Sequence, residues 1–391
     1  MKHRILHIDF SGPWTEGMTY QENLLPDAMA MDGNEVYIFV PCYCWEEGHV
    51  EKVRPEEKVL ESGVVVQRFE FTEILGNKFL SNKVRKVLNL EKHIAEINPD
   101  LILLHCVQTA AVKDICHYVK THPSTILVAD THSDYNNSST NFLSHAILHR
   151  LFYKKFAREV NKIAKYIYYI TPETKRFLIQ EYGLDDSKLK LLPLGGFSLS
   201  DDEYYQKRKS TREKFGVEDN QILFVHSGKI DTKKRTDVLI RAFLQAHADN
   251  AKLLIAGSKD GEYGAEIDSL LYSDGNSNGS VEYIGWKSGD ELTDMLCAAD
   301  VYCQPGSQSA TLQNSICCRC ACIVYPHDAY TFLFSDCSLF AKDEADLTLA
   351  IQRLAQDANF RTELQNAAAL IAKEQLDYTM QGRRIIADCM N

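Results

Sequence analysis

The sequence predicts a two-domain α/β protein in which each domain is a parallel sheet covered by crossover helices. Three observations carry this prediction. A length of 391 residues is too great for one ordinary core and suits two. Short apolar strands alternate with helical stretches, which implies parallel pairing because each crossover must lie on a sheet face. The alternation pauses in a polar, charged stretch at 198–212, just after Gly195-Gly196, and then restarts at Ile222. Two successive series of this kind predict two Rossmann-like domains facing a central cleft.

The elements follow in order. In the first half, strands are expected over 5–10, 35–41, 64–69, 101–104, 125–129, 166–170 and 189–193. Helices are expected over 20–31 and, as one long stretch, 82–97. In the second half, strands are expected over 222–225, 252–256, 281–284, 301–303 and 322–325, with a helix over 236–246. The expected domains are 1–196 and 197–373, with a last helix over 374–391 crossing back to the first domain. In open parallel sheets ligands bind beyond the carboxyl ends of the strands, so polar groups just after strands carry the most weight.

Composition narrows the function. The chain is 45% hydrophobic and 25% charged with 10 prolines and a mean hydropathy of −0.27, as in globular proteins. A net charge of −11 argues against an extended nucleic-acid surface. The opening apolar run is broken by Asp9, too soon for a secretory signal, and no stretch approaches the roughly 20 apolar residues of a membrane span. The expected location is the cytoplasm, where twelve cysteines stay reduced. Cys317-Cys318-Arg319-Cys320-Ala321-Cys322 lacks the paired spacings and histidines of zinc sites. It reads as a helix end entering a buried strand, with metal or redox work as the alternative.

The segment Ser227-Gly228-Lys229-Ile230-Asp231-Thr232-Lys233-Lys234-Arg235 ends a strand, turns at a glycine and enters an amphipathic helix. Backbone N–H groups, a helix start and the cations Lys229 and Lys234 together favour a diphosphate. The same residues would also suit a solvated basic loop. Directly after the apolar strand at 125–129, Asp130-Thr131-His132-Ser133-Asp134 puts a histidine among carboxylates. This arrangement suits proton handling or acceptor positioning, or a cluster of turn residues.

The basic segment resembles the G-R-L-x3-K-G-x-D-x-L-I-x-A-F stretch of family-four glycosyltransferases, retaining enzymes of the GT-B type. Gly17-Met18-Thr19-Tyr20-Gln21 resembles that family's Gly-rich loop, and Asn98-Pro99-Asp100-Leu101-Ile102 its "PDVVH" strand. Leu192-Pro193-Leu194-Gly195-Gly196 resembles its interdomain stretch, Val281 to Gly285 its "V-x-F-x-G" strand, and Ala299-Asp300-Val301 to Pro305 its "ADVFVLPS" stretch. The resemblance implies that Lys229 and Lys234 hold the donor diphosphate and stabilise the leaving group. It implies that His132 contacts the donor sugar, and that Gly17, Met18, Gly228 and Gly285 belong to the donor site. The family's Glu-x7-Glu signature is absent here. Gln308 or Ser309 stands near its first position and Asn314 or Gln313 near its second, with the amides of Ser309, Ala310 and Thr311 left to cradle phosphate.

The expected activity is therefore transfer of a sugar from a nucleotide-sugar donor to a glycan, lipid-linked or other acceptor. It needs no metal, since no Asp-x-Asp stands at a strand end, and no cofactor. Surface polysaccharide or glycoconjugate synthesis is the implied setting. The basic stretch from Arg150 to Lys165 suits peripheral contact with an anionic membrane, or a solvated helix face. The alternative function is a degenerate protein of this build that binds a nucleotide sugar or a partner without turnover.

Overall fold

The computed structural model of the chain describes residues 2–46, 49–74, 76–135 and 152–390, the side chains of 78 and 79 excepted. The chain forms two compact units, Met1–Pro193 with Tyr378–Asn391, and Leu194–Asp377.

The first unit holds β1 (Arg4–Asp9), β2 (Glu35–Pro41), β3 (Tyr43–Glu46), β4 (His49–Lys52), β5 (Glu57–Val59), β6 (Val65–Phe69), β7 (Leu101–His105), β8 (Ile126–Thr131), β9 (Tyr166–Tyr169) and β10 (Leu189–Leu191). Eight of them form one sheet in the order β10-β9-β8-β7-β1-β2-β6-β5, parallel except for β5, while β3 and β4 pair apart as an antiparallel ribbon. Strands with helices on both faces must be apolar throughout, and every residue of Leu101–His105 is buried. The register sets Asp9 beside His105 and His105 beside Asp130, one row across the carboxyl ends of three neighbouring strands.

Two expectations need correction here. The single helix over 82–97 is two short ones, Lys78–Val84 and Leu90–Ile97. Arg85 and Asn89, both with φ of 55°, break the helical path between them, and Val87 bridges to Phe71. The closing helix is Tyr378–Met390, which follows a break at Asp377. It packs on Gln21–Met31 at Gly382, where a Cβ would come within 2.8 Å of Met29 Cγ. Asp388 fastens it further, accepting from Tyr168 at 3.0 Å and pairing with Lys190 at 2.7 Å.

The second unit is one parallel sheet of β11 (Ile222–Ser227), β12 (Ala251–Ala256), β13 (Val281–Tyr283), β14 (Val301–Gln304), β15 (Ala321–Val324) and β16 (Ser338–Phe340), in the order β13-β12-β11-β14-β15-β16. The α/β class and parallel sheets are those the sequence predicts. The polar stretch at 198–212, where the strand–helix alternation pauses, forms the helix Asp201–Lys214, opened by a Ser200–Glu203 capping box.

That helix is tied to the sheet through buried Asp300. The carboxylate accepts from Arg208 at 2.6 Å, from Arg212 at 3.2 Å and from the Leu223 amide at 2.8 Å, at the start of β11. Both guanidiniums also donate to the carbonyl of Ala298. Removing one partner of a buried pair leaves an uncompensated charge, so Asp300→Ala should destabilise the protein by about 3–5 kcal/mol. Glu159→Ala, which breaks an exposed pair with Lys162, should cost less than about 1 kcal/mol. Urea-unfolding midpoints compare the two, and equal costs would contradict the role given to Asp300.

Candidate functional site

In the second unit the loops after β11, β12, β13 and β14 crowd together at the carboxyl edge of the sheet. Gly228 turns the chain at φ +140° and its amide donates to the Ala256 carbonyl at 3.1 Å. Gly257 lies so close that a Cβ would come 1.8 Å from Gly228 O, and its amide donates to Gly285 O at 2.9 Å. Only glycine fits such an approach. Gly306 is equally constrained, since a Cβ there would sit 2.1 Å from Lys233 O. The Ser307 amide then donates to the same Lys233 carbonyl at 2.8 Å.

This crowding fixes the basic loop. Asp231 caps the 3-10 turn Thr232–Lys234 by accepting from the amides of Lys233 and Lys234. Arg235, with φ of 55°, starts the helix Thr236–Gln245 and donates to the carbonyls of Pro305 and Lys342. Lys234 runs along Gly228, and its Nζ donates to Ser307 O at 3.2 Å and Gln308 O at 3.1 Å. An ammonium has three protons, so one is left for a ligand. Burial pulls its pKa below the usual lysine value. Lys229 is exposed, with no side-chain partner among the described residues.

The loop at 305–310 is held from below. Tyr330 Oη accepts from Gln304 Nε2 at 2.7 Å and from the Ser309 amide at 2.9 Å. The Ser309 amide expected to cradle phosphate is thus already engaged, and the Thr311 amide leans on Ser309 Oγ at 3.4 Å. Ala310 and Gln308 are exposed. Gln313 is buried and turns its NH2 to the carbonyls of Ser309 and Ala310 at 3.3 and 3.2 Å, so it serves the helix start. Asn314 faces Gly196, whose Cβ position is 3.2 Å from Asn314 Oδ1. Under the loops lies His226, its ring between Cys303 O at 2.8 Å and Thr236 Oγ1 at 3.0 Å. Burial holds it neutral, with a pKa of about 4. His226, Gly257, Gln304, Gly306 and Tyr330 were not legible as site residues, because their partners lie on other strands.

In the first unit, His132 follows β8 and is half-exposed. Its Nε2 lies 3.0 Å from Gln21 Oε1 and 4.0 Å from Asp130 Oδ1. Gln21 begins the helix Gln21–Met31, after the loop in which Gly17 takes φ +78° and Met18 is partly buried. Behind His132 stands a buried chain that sequence reading missed. Asp130 Oδ2 accepts from His105 Nδ1 at 2.7 Å, and His105 Nε2 meets His7 Nδ1 at 2.9 Å. Burial opposes charge on His105, but Asp130, with Asp9 and Glu22, overcomes it and raises its pKa to about 9. His7 is driven well below its usual value by burial and by the His105 charge. It is therefore the neutral acceptor of a hydrogen bond from the His105 imidazolium. Burial, and then the charge of Asp9, push the Glu22 carboxyl upward.

The remaining candidates divide. Cys317, Cys318, Cys320 and Cys322 are buried, and burial pushes the Cys317 thiol to about 12, which leaves no thiolate for chemistry. Among the described residues no His, Cys, Asp and Glu side chains are grouped to hold a metal ion. Arg150 lies outside the described residues. The helix Lys154–Ile163 buries Phe156, Ala157 and Val160, while Lys155, Arg158 and Lys162 are exposed. Arg158 donates to Tyr182 O, and Lys165 to Cys389 O. Among the described residues no helix is long and apolar enough to cross a membrane.

Two family descriptions match consecutive parts of the chain. Residues 25–195 match Glycosyltransferase Family 4, and residues 207–370 match Glycosyl transferases group 1. A glycosyltransferase of Methanocaldococcus jannaschii is 32% identical over 104 residues, a match that spans 26% of this chain and 25% of that relative's length. Among solved structures, Anabaena Alr3699/HepE in complex with UDP superposes with a TM-score of 0.67 at 15% identity, covering 99% of both chains. A Rickettsia africae glycosyltransferase gives 0.66 at 13% identity, over 99% of this chain and 97% of that one. The sucrose-phosphate synthase of Thermosynechococcus elongatus gives 0.62 at 16% identity, over 99% and 98%. With two parallel-sheet units and a family match on each, the chain belongs to the group 1 glycosyltransferases and has their GT-B fold.

Proposed function

We propose that this transferase moves a hexose from a nucleotide-sugar donor to a glycan, lipid-linked or other acceptor, with retention and without a metal ion. Surface polysaccharide or glycoconjugate synthesis is the setting proposed for it. The observation that carries the reading is the seat of Lys234. Its ammonium is fixed by two carbonyls beside a glycine turn, one proton remains to be donated, and the exposed Lys229 stands on the same loop. Charge on a leaving diphosphate would be met there by protein cations in fixed positions, the kind of preorganised stabilisation that lowers a barrier. In this reading Gly228, Gly285, Gln308, Ser309, Ala310, Thr311, Gln313 and Asn314 form the donor side, and Gly17, Met18 and His132 approach the sugar. A helix face carrying Lys155, Arg158 and Lys162 supports, as part of the same proposal, contact with an anionic bilayer surface.

A second reading has its own observation. Gln308 is exposed, Gln313 is spent on the helix start and Asn314 faces Gly196, so no carboxylate replaces the missing Glu pair on this loop. Such a protein would bind a nucleotide sugar without turnover. Radiolabelled UDP-glucose separates the two, because hydrolysis or transfer supports the first and tight binding with neither supports the second.

Three outcomes test the proposal. Lys229→Met and Lys234→Met should each weaken UDP binding by roughly ten- to a hundredfold, the worth of one charge-assisted hydrogen bond. Uridine should bind both variants as it binds the parent, and EDTA should leave the calorimetric titration unchanged. Survival of UDP affinity in both variants would remove the donor site from this loop. His132→Ala should lower the turnover rate with little change in melting temperature, whereas unfolding or full activity would assign His132 to the turn.

The third outcome concerns pH. His105 keeps its proton when folded up to about pH 9 but loses it near pH 6.5 when unfolded. Its stabilising contribution is therefore full below pH 6.5 and is lost as pH rises through 9. Between pH 6.5 and 8 stability should fall by up to about 1.4 kcal/mol per pH unit. His7 and His226, whose pKa values are lowered, act below that window. Urea midpoints across the window should slope downward in the parent and flatten in His105→Gln.

A further inference from the structure

One buried polar side chain of the first unit is not explained by packing. Gln21 opens the helix Gln21–Met31 and is 2% exposed. Its NH2 group meets no hydrogen-bond partner among the described residues. An unpaired buried donor costs stability, so a side chain that carries one calls for a reason other than the fold.

The other buried glutamines set the contrast. Gln108 donates to Tyr182 Oη at 2.6 Å, Gln304 to Tyr330 Oη at 2.7 Å and Gln381 to Pro193 O at 2.8 Å. Gln313 turns its NH2 to the start of its own helix. All four use their donors inside the fold. Gln21 uses only its carbonyl oxygen, which lies 3.0 Å from His132 Nε2.

That bond decides where His132 carries its proton. A carbonyl oxygen can only accept, so the hydrogen stands on Nε2 and the lone pair of the neutral ring on Nδ1. Asp130 does not compete for this hydrogen. Its Oδ1 is 4.0 Å from His132 Nε2, beyond hydrogen-bond reach, and accepts from the Cys106 amide at 3.3 Å. Its Oδ2 accepts from His105 Nδ1 at 2.7 Å, and the His105 imidazolium matches its charge. The group within reach of Nε2 is therefore a neutral amide, which orients the ring without adding a charge to it.

We propose that Gln21 is a positioning residue for the transfer: it fixes His132 as the Nε2–H tautomer, so that Nδ1 serves as a hydrogen-bond acceptor for a substrate hydroxyl. The inference rests on the reading above in which His132 takes part in the reaction, and it names the tautomer in which His132 does so and the group that selects it.

Gln21→Met keeps the length of the side chain and removes the amide. Because it also removes an unpaired buried donor, the melting temperature should equal or exceed that of the parent. Turnover of radiolabelled UDP-glucose should nevertheless fall roughly tenfold in kcat with KM within about twofold, as for an interaction made in the transition state. In a His132→Ala background the same substitution should lower the residual rate no further, since Gln21 acts through the ring. NMR nitrogen shifts of the histidine-labelled full-length chain, with His132 assigned by its loss in His132→Ala, report the tautomer directly. They should place the proton of the neutral ring on Nε2 in the parent and show a mixture of both tautomers in Gln21→Met. A proton on Nδ1 in the parent, an unchanged tautomer in Gln21→Met or rate losses that multiply in the double variant would overturn the proposal. So would a rise in KM with kcat unchanged, or a melting temperature well below the parent's. Full turnover in His132→Ala would instead overturn the role given to His132, and a parent without turnover would favour the binding-only reading. In either event the nitrogen shifts by themselves decide whether Gln21 sets the ring.

Discussion

Close approach of backbone to backbone at the carboxyl edge of the second sheet is the constraint from which its candidate site follows. Parallel strands deliver their loops side by side at that edge, where peptide groups must satisfy one another. Gly257 against Gly228, and Gly306 against Lys233, allow contacts that any side chain would forbid. Because the loops touch, the carbonyls of Ser307 and Gln308 come within reach of Lys234 Nζ. The lysine is thereby held in a half-buried place that its own entropy would disfavour. The cation is fixed before any anion arrives, and its ordering cost is met by folding.

The first unit solves a different problem at the corresponding edge of its sheet. Three neighbouring strands bring Asp9, His105 and Asp130 into one row at their carboxyl ends, and burying two carboxylates in that row needs a counter-charge. The His105 imidazolium supplies it, while His7 passes from potential repulsion to acceptor by staying neutral. His132 stands at the half-exposed end of this chain, 4.0 Å from Asp130. Asp130 thus stands between the half-exposed His132 and residues that never reach the surface.

Much of this was legible in the sequence, and the limits have physical causes. Strand–helix alternation reads well because the central strands carry apolar runs, as at Leu101–Leu104. The basic loop reads well because Gly228, Lys229 and Lys234 are neighbours in the chain. By contrast, Tyr330 touches Ser309 from another helix and His226 meets Cys303 on another strand, so no local pattern announces them. The stretch at 198–212 misled because charge usually marks solvent exposure. Here two arginines face inward to Asp300, a partner that lies far along the chain. The unbroken helix over 82–97 misled because Arg85 is not a residue whose type announces left-handed backbone, although Asn89 is.

That last departure has a consequence for the molecule's surface. A continuous helix through Arg85 would have carried its side chain outward with its neighbours at i±3 and i±4. The left-handed turn instead ends one helix, returns Val87 to pair with Phe71, and lets Asn82 O and Gln108 O aim the guanidinium. The same break brings an aromatic ring and an arginine to one cleft. Lys234 and Arg85 are thus made in the same way on two different sheets. Each is a cation beyond a strand's carboxyl end, oriented by backbone carbonyls and given no carboxylate partner. Carbonyl dipoles hold each cation in place and leave its net charge uncompensated, and that difference separates these two residues from the paired arginines around Asp300.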